Sequence, residues 1–335
     1  MAEWNISERA AALHRGAVVW DNTFPFGPSC GSHPAHVRTL ERMRGAGYTC
    51  VSLTTASDND EMPGTMAKIA HDGAFFRRFP DRFVQVEKAD DILRAKAEGK
   101  LGVVFTFQGT LPFGRDVGFV EMYYRLGVRM ALMAYNQKNH VGDGCHERTD
   151  AGLSRFGIDV VREMNRVGML VDCTHTGYRT SMDVFEVAEG PVVFSHSNPR
   201  ALWDHERNIR DDQARACAKT GGVVGINGVG IFIGDNDTST AGLFRQVEYW
   251  VNLIGPDHVG IGMDCVSDKV VLFELVHARA DKYPAGQRYD GGSDFAWPEQ
   301  VPELTELMLK AGYSDAQVLG ILGANWLRVA RQVWK

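Results

Sequence analysis

Short apolar runs and longer stretches of helical period alternate along most of the chain. Eight runs, bounded by Gly, Pro or polar clusters, predict strands: AVVW (17–20), YTCVSLTT (48–55), LGVVFTFQG (101–109), VRMALMAYN (128–136), MLVDCTH (169–175), PVVFSHS (191–197), GGVVGING (221–228) and HVGIGMDC (258–265). Between most of them lie segments with 3.6-residue periodicity, such as HVRTLERMRGAG, FVEMYYRLG, FGIDVVREMNRVG and FRQVEYWVNLIG, most closing on the glycine expected just past a helix end. The second and third strands are separated by two helices, MAKIAHDGAFFRRFP and KADDILRAKAEGK, and a last pair, PELTELMLKAG and SDAQVLGILGANWLRVARQVW, follows the eighth strand. The stretch from Lys269 to Trp297 has no clear period and reads as a lid or interface loop.

Strand and helix alternating over this length predict an α/β fold with a parallel sheet covered by helices, and eight strands predict a (β/α)8 TIM-like barrel with extra C-terminal helices. The 335 residues, 44% hydrophobic and 23% charged, are read as a single domain, 1–335. A net charge of -6 offers no basic stripe, so no nucleic-acid partner is expected. No apolar run reaches membrane-spanning length, and the N-terminal stretch lacks an apolar leader, so a cytoplasmic protein is expected. The six cysteines are scattered without CxxC spacing and read as small buried hydrophobes; Cys173, two residues before His175, is also a candidate nucleophile.

The C-terminal strand ends of such a barrel converge on one mouth. The residues at those ends are, in order, Asp21, Thr54 or Thr55, Gln108, Tyr135, His175, His196, Asn227 and Asp264. A lone histidine there often only caps a strand, but two imidazoles and a carboxylate can supply three ligands and leave a position for water, as in a catalytic zinc site. Thr54, Thr55 and Asn227 are read as rim solvation. His140 and His146 flank the glycine-rich VGDGCHE loop after the fourth strand, where His140 or Asp143 is a candidate substrate-binding residue. Trp326 and Trp334 share a helix face, which suggests packing or a homodimer contact. His14, His33, His36, His71, His205, His258 and His277 show no ligand spacing and read as surface or capping residues.

From about Val18 onward the chain resembles the membrane (renal) dipeptidase family of zinc peptidases. The resemblance rests on LSRFGIDVVREMNRVGMLVDCTHTG, then FSHSNP, HERNIRDD, GIGMD and GANWLRV in order. It implies a distorted barrel and hydrolysis of a dipeptide or similar small carboxylated amide by metal-activated water. In the family pattern two zinc ions are bridged by a glutamate. His175 and His196 match the histidines of one zinc, Asp264 an aspartate of the other, and Arg207 the arginine that clamps the substrate carboxylate, a task suited to a planar bidentate donor. Three positions depart from it. The first strand lacks the His-x-Asp pair, leaving Asp21 as its only candidate ligand; Gln108 replaces the bridging glutamate; and Tyr135 replaces a histidine that assists the transition state.

The expectation is therefore one zinc ion rather than two, held by His175 and His196 with Asp264 or Gln108 completing the shell. Asp264, if not a ligand, is a candidate general base, and Tyr135 a candidate oxyanion donor and substrate contact. Two other readings stand beside a dipeptidase-like hydrolase. One is a catalytically impaired barrel that binds a small carboxylated ligand; the other is a mononuclear amidohydrolase acting on a non-peptide amide or lactone.

Overall fold

The computed structural model describes residues 4–25, 27–289 and 292–335. Nine parallel strands form one sheet: β1 (Trp20–Phe24), β2 (Cys50–Ser57), β3 (Phe83–Gln85), β4 (Leu101–Gln108), β5 (Val128–Leu132), β6 (Leu170–Asp172), β7 (Val192–Val193), β8 (Val224–Ile226) and β9 (Val259–Ile261). Their order is β7-β6-β5-β4-β2-β1-β9-β8, with β3 paired only to β4. A parallel bridge from Phe194 to Val224 links the two ends, so eight strands nearly close a distorted barrel. The expected architecture is what forms, and the helices after β9 are the extra ones.

Three local departures matter. The first strand runs from Trp20 to Phe24 rather than 17–20, so Asp21 lies inside the strand and Thr23 nearer its end. Its pairing with β2 slips between Asp21 and Phe24. The final helix is not continuous: it breaks at Gly323, where a Cβ would stand 2.5 Å from Val18 O and 2.8 Å from Trp20 N, so only glycine lets the first strand pass this close. Much of the aperiodic 269–297 segment is ordered, with Lys269–Ala278 helical and capped by the Asp268 carboxylate on the amides of Val270 and Val271.

The two faces of each strand serve different cores. Val103, Phe105 and Phe107 of β4 join the large layer beneath the helices, whereas Val104 faces the other way, with Trp20, Met130, Leu170 and Val193. The C-terminal helix Asn325–Val333 plugs this inner cluster with Trp326 and Leu327. Trp326 is buried and donates to Ile261 O at 3.1 Å, and Trp334 packs against Trp20, so both rings make packing contacts within the chain. Higher in the barrel the interior turns polar: Trp20 Nε1 donates to Ser52 Oγ, which donates to Asn22 Oδ1. All six cysteines are free thiols. Among the described residues no helix is long and apolar enough to cross a membrane.

His14 is a correction to the surface reading. It is fully buried between the Glu8–Gly16 helix and the rest of the chain, with Nδ1 2.9 Å from Thr305 Oγ1 and Nε2 2.9 Å from Ala46 O. His36 and His205 are likewise buried. Burial holds His14 down at about 4, against 6.5 for an exposed histidine. Above pH 6.5 the ring is neutral whether the chain is folded or not. Below it the unfolded chain takes up a proton that the folded chain refuses, so stability falls between about pH 6.5 and 4. His14→Gln, which keeps a donor and an acceptor, is expected to remove on the order of 3 kcal/mol of that acid-side loss. Denaturant unfolding at pH 7 and 4.5 checks this, and an unchanged pH difference in the variant contradicts it.

Candidate active site

His175 and His196 enter from the loops after β6 and β7 and meet with Nε2 3.2 Å from Nε2. Each ring is fixed through its other nitrogen. Asn136 Nδ2 donates to Lys282 O at 3.0 Å, which turns its Oδ1 toward His175 Nδ1 at 2.6 Å. His175 must therefore donate from Nδ1, leaving a lone pair on Nε2. His196 Nδ1 lies 2.7 Å from Thr23 Oγ1 and 2.7 Å from Ser195 Oγ. The Thr23 hydroxyl is also 2.7 Å from Asn22 O; with its proton directed there, its oxygen accepts from His196 Nδ1 and the second Nε2 also carries a lone pair. Burial, together with the nearby Arg207 cation, holds both imidazoles well below the usual histidine range, in the neutral ligand form.

Two facing lone pairs repel unless a proton or a cation lies between them. Two nitrogens about 2.05 Å from a tetrahedral zinc stand about 3.3 Å apart, so the observed separation fits such an ion. The hydrogen-bonded back nitrogens are the orienting contacts that metal-binding histidines require. Among the described residues, no third His, Cys, Asp or Glu joins the pair closely enough to complete a metal-holding group. The donor set thus fits two ligand positions.

The other expected residues are placed as follows. Gln108, Tyr135 and Asp264 line one cavity together with His175. Tyr135 stacks on His175, with ring centroids 4.1 Å apart, and its hydroxyl is 3.0 Å from that of Tyr283. Asp264 accepts from Asn227 Nδ2 at 3.3 Å; burial pushes its carboxyl up to about 6, partly offset by Arg207 and Asn227. Arg207 is buried, donating to His196 O at 2.7 Å and Ser197 Oγ at 3.3 Å, while its Nε has no partner. Among the described residues no carboxylate lies within ion-pair distance of it.

Two expected residues are committed elsewhere. Asp21 Oδ1 accepts from the amides of Thr23 and Met263, tying β1 to the loop after β9, and burial pushes its carboxyl up to about 7. Asp143 lines neither that cavity nor the polar one beside Arg207. Its buried carboxylate accepts from Ala151 N at 2.7 Å and Thr149 Oγ1 at 2.8 Å and pairs with Lys138 at 3.0 Å, holding its own loop.

Residues without a sequence signal do much of the positioning. Asp58 accepts from Tyr135 N and Asn139 Nδ2, both at 2.9 Å, and from Leu111 N at 2.8 Å. Asn136, His175 and Asp264 all have left-handed backbones, with φ of 63°, 61° and 55°. For His and Asp this costs of order 1 kcal/mol or more and persists only where surrounding contacts hold it, as at many functional sites. Cys173 is fully buried, and burial pushes its thiol up, against a nucleophilic role.

A parallel β/α barrel that gathers facing imidazoles, a carboxylate and a buried arginine at one mouth has the architecture of the metal-dependent hydrolases. The chain belongs to the membrane dipeptidase family (peptidase family M19), whose sequence profile matches residues 29–335. Membership implies a metal cofactor. An uncharacterized dipeptidase of Schizosaccharomyces pombe is 31% identical over 259 residues, 75% of this chain and 56% of that protein, so the match spans little more than half of that relative. An amidohydrolase from Pseudomonas aeruginosa is 32% identical, with a TM-score of 0.88 covering 97% of this chain and 99% of that one. A Rhodobacter sphaeroides metallopeptidase, solved with a phosphinate mimic of L-Ala-D-Ala, shares the fold at 19% identity and a TM-score of 0.78, covering 95% of this chain and 99% of that one.

Asp143→Ala is expected to lower stability by about 2 kcal/mol, because buried backbone and hydroxyl donors lose their acceptor, while leaving KM unchanged. Thermal unfolding beside steady-state kinetics checks this; a raised KM at unchanged stability returns Asp143 to the mouth.

Proposed function

We propose that the protein is a zinc-dependent, dipeptidase-like hydrolase that cleaves the amide bond of a dipeptide or similar small carboxylated amide. The observation that carries this reading is the pair of Nε2 lone pairs of His175 and His196 facing each other at 3.2 Å. These two residues would hold one zinc ion, with Gln108 or Asp264, which line the same cavity as His175, as the third ligand. Bound there, zinc supplies an activated water and a polarised carbonyl.

The chain's own residues do the rest. Arg207, a buried guanidinium with no carboxylate of its own among the described residues, takes the substrate carboxylate and sets the register of the scissile bond. With Gln108 as the third ligand, Asp264 accepts a proton from the attacking water and returns it to the leaving nitrogen. Tyr135, held by Asp58 and stacked on His175, donates its hydroxyl proton toward the carbonyl oxygen as charge develops there.

The absence of a third His, Cys, Asp or Glu beside the pair, among the described residues, supports a second reading: a barrel that binds a small carboxylated ligand without turning it over. Elemental analysis and dipeptide hydrolysis separate the two. The hydrolase reading predicts one zinc per chain and zinc-dependent cleavage. His175→Ala and His196→Ala each lose zinc at least a hundredfold, and Asp21→Asn retains it. Arg207→Lys raises KM for carboxylated substrates ten- to a hundredfold, about 1.4–2.7 kcal/mol. A zinc-loaded protein inactive on a broad dipeptide panel, or a metal-free one, sinks this reading.

A further inference from the structure

Two cavities meet at His175, which lines both. The polar one holds Arg207, so on the hydrolase reading it takes the carboxylate half of the substrate and leaves the acyl half to the other. That second cavity is small, about 70 Å3, with no room of its own for a bulky acyl group. Its one acidic side chain among the described residues, Asp264, favours a positive charge nearby.

The small cavity adjoins a much larger one. Pro25, Val266 and Leu272 line both it and a cleft of about 570 Å3, whose other walls come from the Lys269–Ala278 helix and from the segments around His33 and Asn59. Val271, Leu272 and Leu275 make one side of this cleft apolar. Its charges do not balance. Lys68 is already paired with Asp60 at 2.7 Å, whereas Asp268 meets only its own helix amides and the His33 ring at 3.9 Å, and Glu274 has no ion pair among the described residues. Polar groups on the lining are also unmet: Nδ1 of His36, a residue only 7% exposed, Nδ2 of Asn59 and Oγ of Ser267 have no hydrogen-bond partner among the described residues. An apolar side, a surplus of carboxylates and unmet polar groups together suit a ligand with an apolar stem and a cationic, hydrogen-bonding end.

We propose that this cleft is a specificity subsite for an unbranched side chain that ends in a cation, so that dipeptides with an N-terminal lysine or arginine are preferred. The proposal deepens the hydrolase reading and rests on it. The methylene stem runs from the small cavity past Pro25, Val266 and Leu272, exchanging water for apolar contacts, and its ammonium or guanidinium reaches the carboxylates of Glu274 and Asp268. A neutral side chain of the same length gains the burial of the stem without the attraction of the charges. The helix Lys269–Ala278, which supplies Leu272 and Glu274, is then a specificity element.

Lysyl-alanine and norleucyl-alanine differ only in the ε-ammonium group and make the test. With the zinc-loaded protein at pH 7, kcat/KM is expected to be about fivefold higher for lysyl-alanine, and the preference to shrink as added salt screens the charges. Glu274→Lys is expected to bring the ratio to one or below; both substrates are measured on one preparation, so any loss of folded protein cancels. Calorimetric binding of both dipeptides to the metal-free protein gives a readout independent of turnover. Cleavage of neither, with lysyl-alanine bound more tightly, sinks the hydrolase reading and leaves the cleft assignment standing. Cleavage with norleucyl-alanine equal or preferred, equal binding of the two, or a ratio unchanged in Glu274→Lys overturns the assignment, and hydrolysis stands wherever cleavage is seen.

Discussion

Two nitrogen lone pairs aimed at each other across 3.2 Å are unfavourable on their own, and the surrounding structure holds His175 and His196 in that relation. Asn136 can present only its oxygen to His175, because its amide nitrogen is held by the Lys282 carbonyl. With its proton directed to Asn22 O, Thr23 accepts from His196. Burial keeps both rings neutral, and left-handed backbones at Asn136 and His175 turn their side chains into the mouth. A cation between the rings converts this local cost into a gain, which makes the pair the constraint on which the rest of the site depends.

The remainder of the mouth is uneven, and the unevenness has a physical cause. On the first-strand side, one oxygen of Asp21 accepts from two backbone amides and the other is buried without a partner, while burial raises the carboxyl to about 7. Gln108 offers an amide where a carboxylate would balance a second dication. On the histidine side, Arg207 brings a buried positive charge that calls for an anion. On the proposed reading the outcome is a mouth with one cation seat at the two imidazoles, one anion seat at Arg207 and an apolar wall that includes Leu272 and Val276.

Much of this was legible in the sequence. Long strands such as β2 and β4 announce themselves as apolar runs, and His175, His196 and Asp264 were readable because each follows such a run. The first strand was misplaced by three residues because AVVW is more apolar than WDNTF, although it is the polar residues Asn22 and Thr23 that point into the hydrogen-bonded interior. Three-residue β3 was too short to register. The helix 269–278 is apolar nearly all round, KVVLFELVHA, so it has no period to detect. Asn136, Asp58 and Tyr283 act through partners 39, 77 and 148 residues away, separations at which only the fold brings them together. His14, His36 and His205 read as surface or capping residues in the sequence because burial of a single histidine leaves no pattern in its neighbours.

The claim that the facing imidazoles form a cation seat is tested most directly by anomalous scattering from crystals grown with zinc, with data collected on both sides of the zinc absorption edge. The account predicts one peak, about 2.1 Å from the Nε2 atoms of both His175 and His196. The absence of a peak between the two rings, or a second peak of equal height beside Asp21, would contradict it.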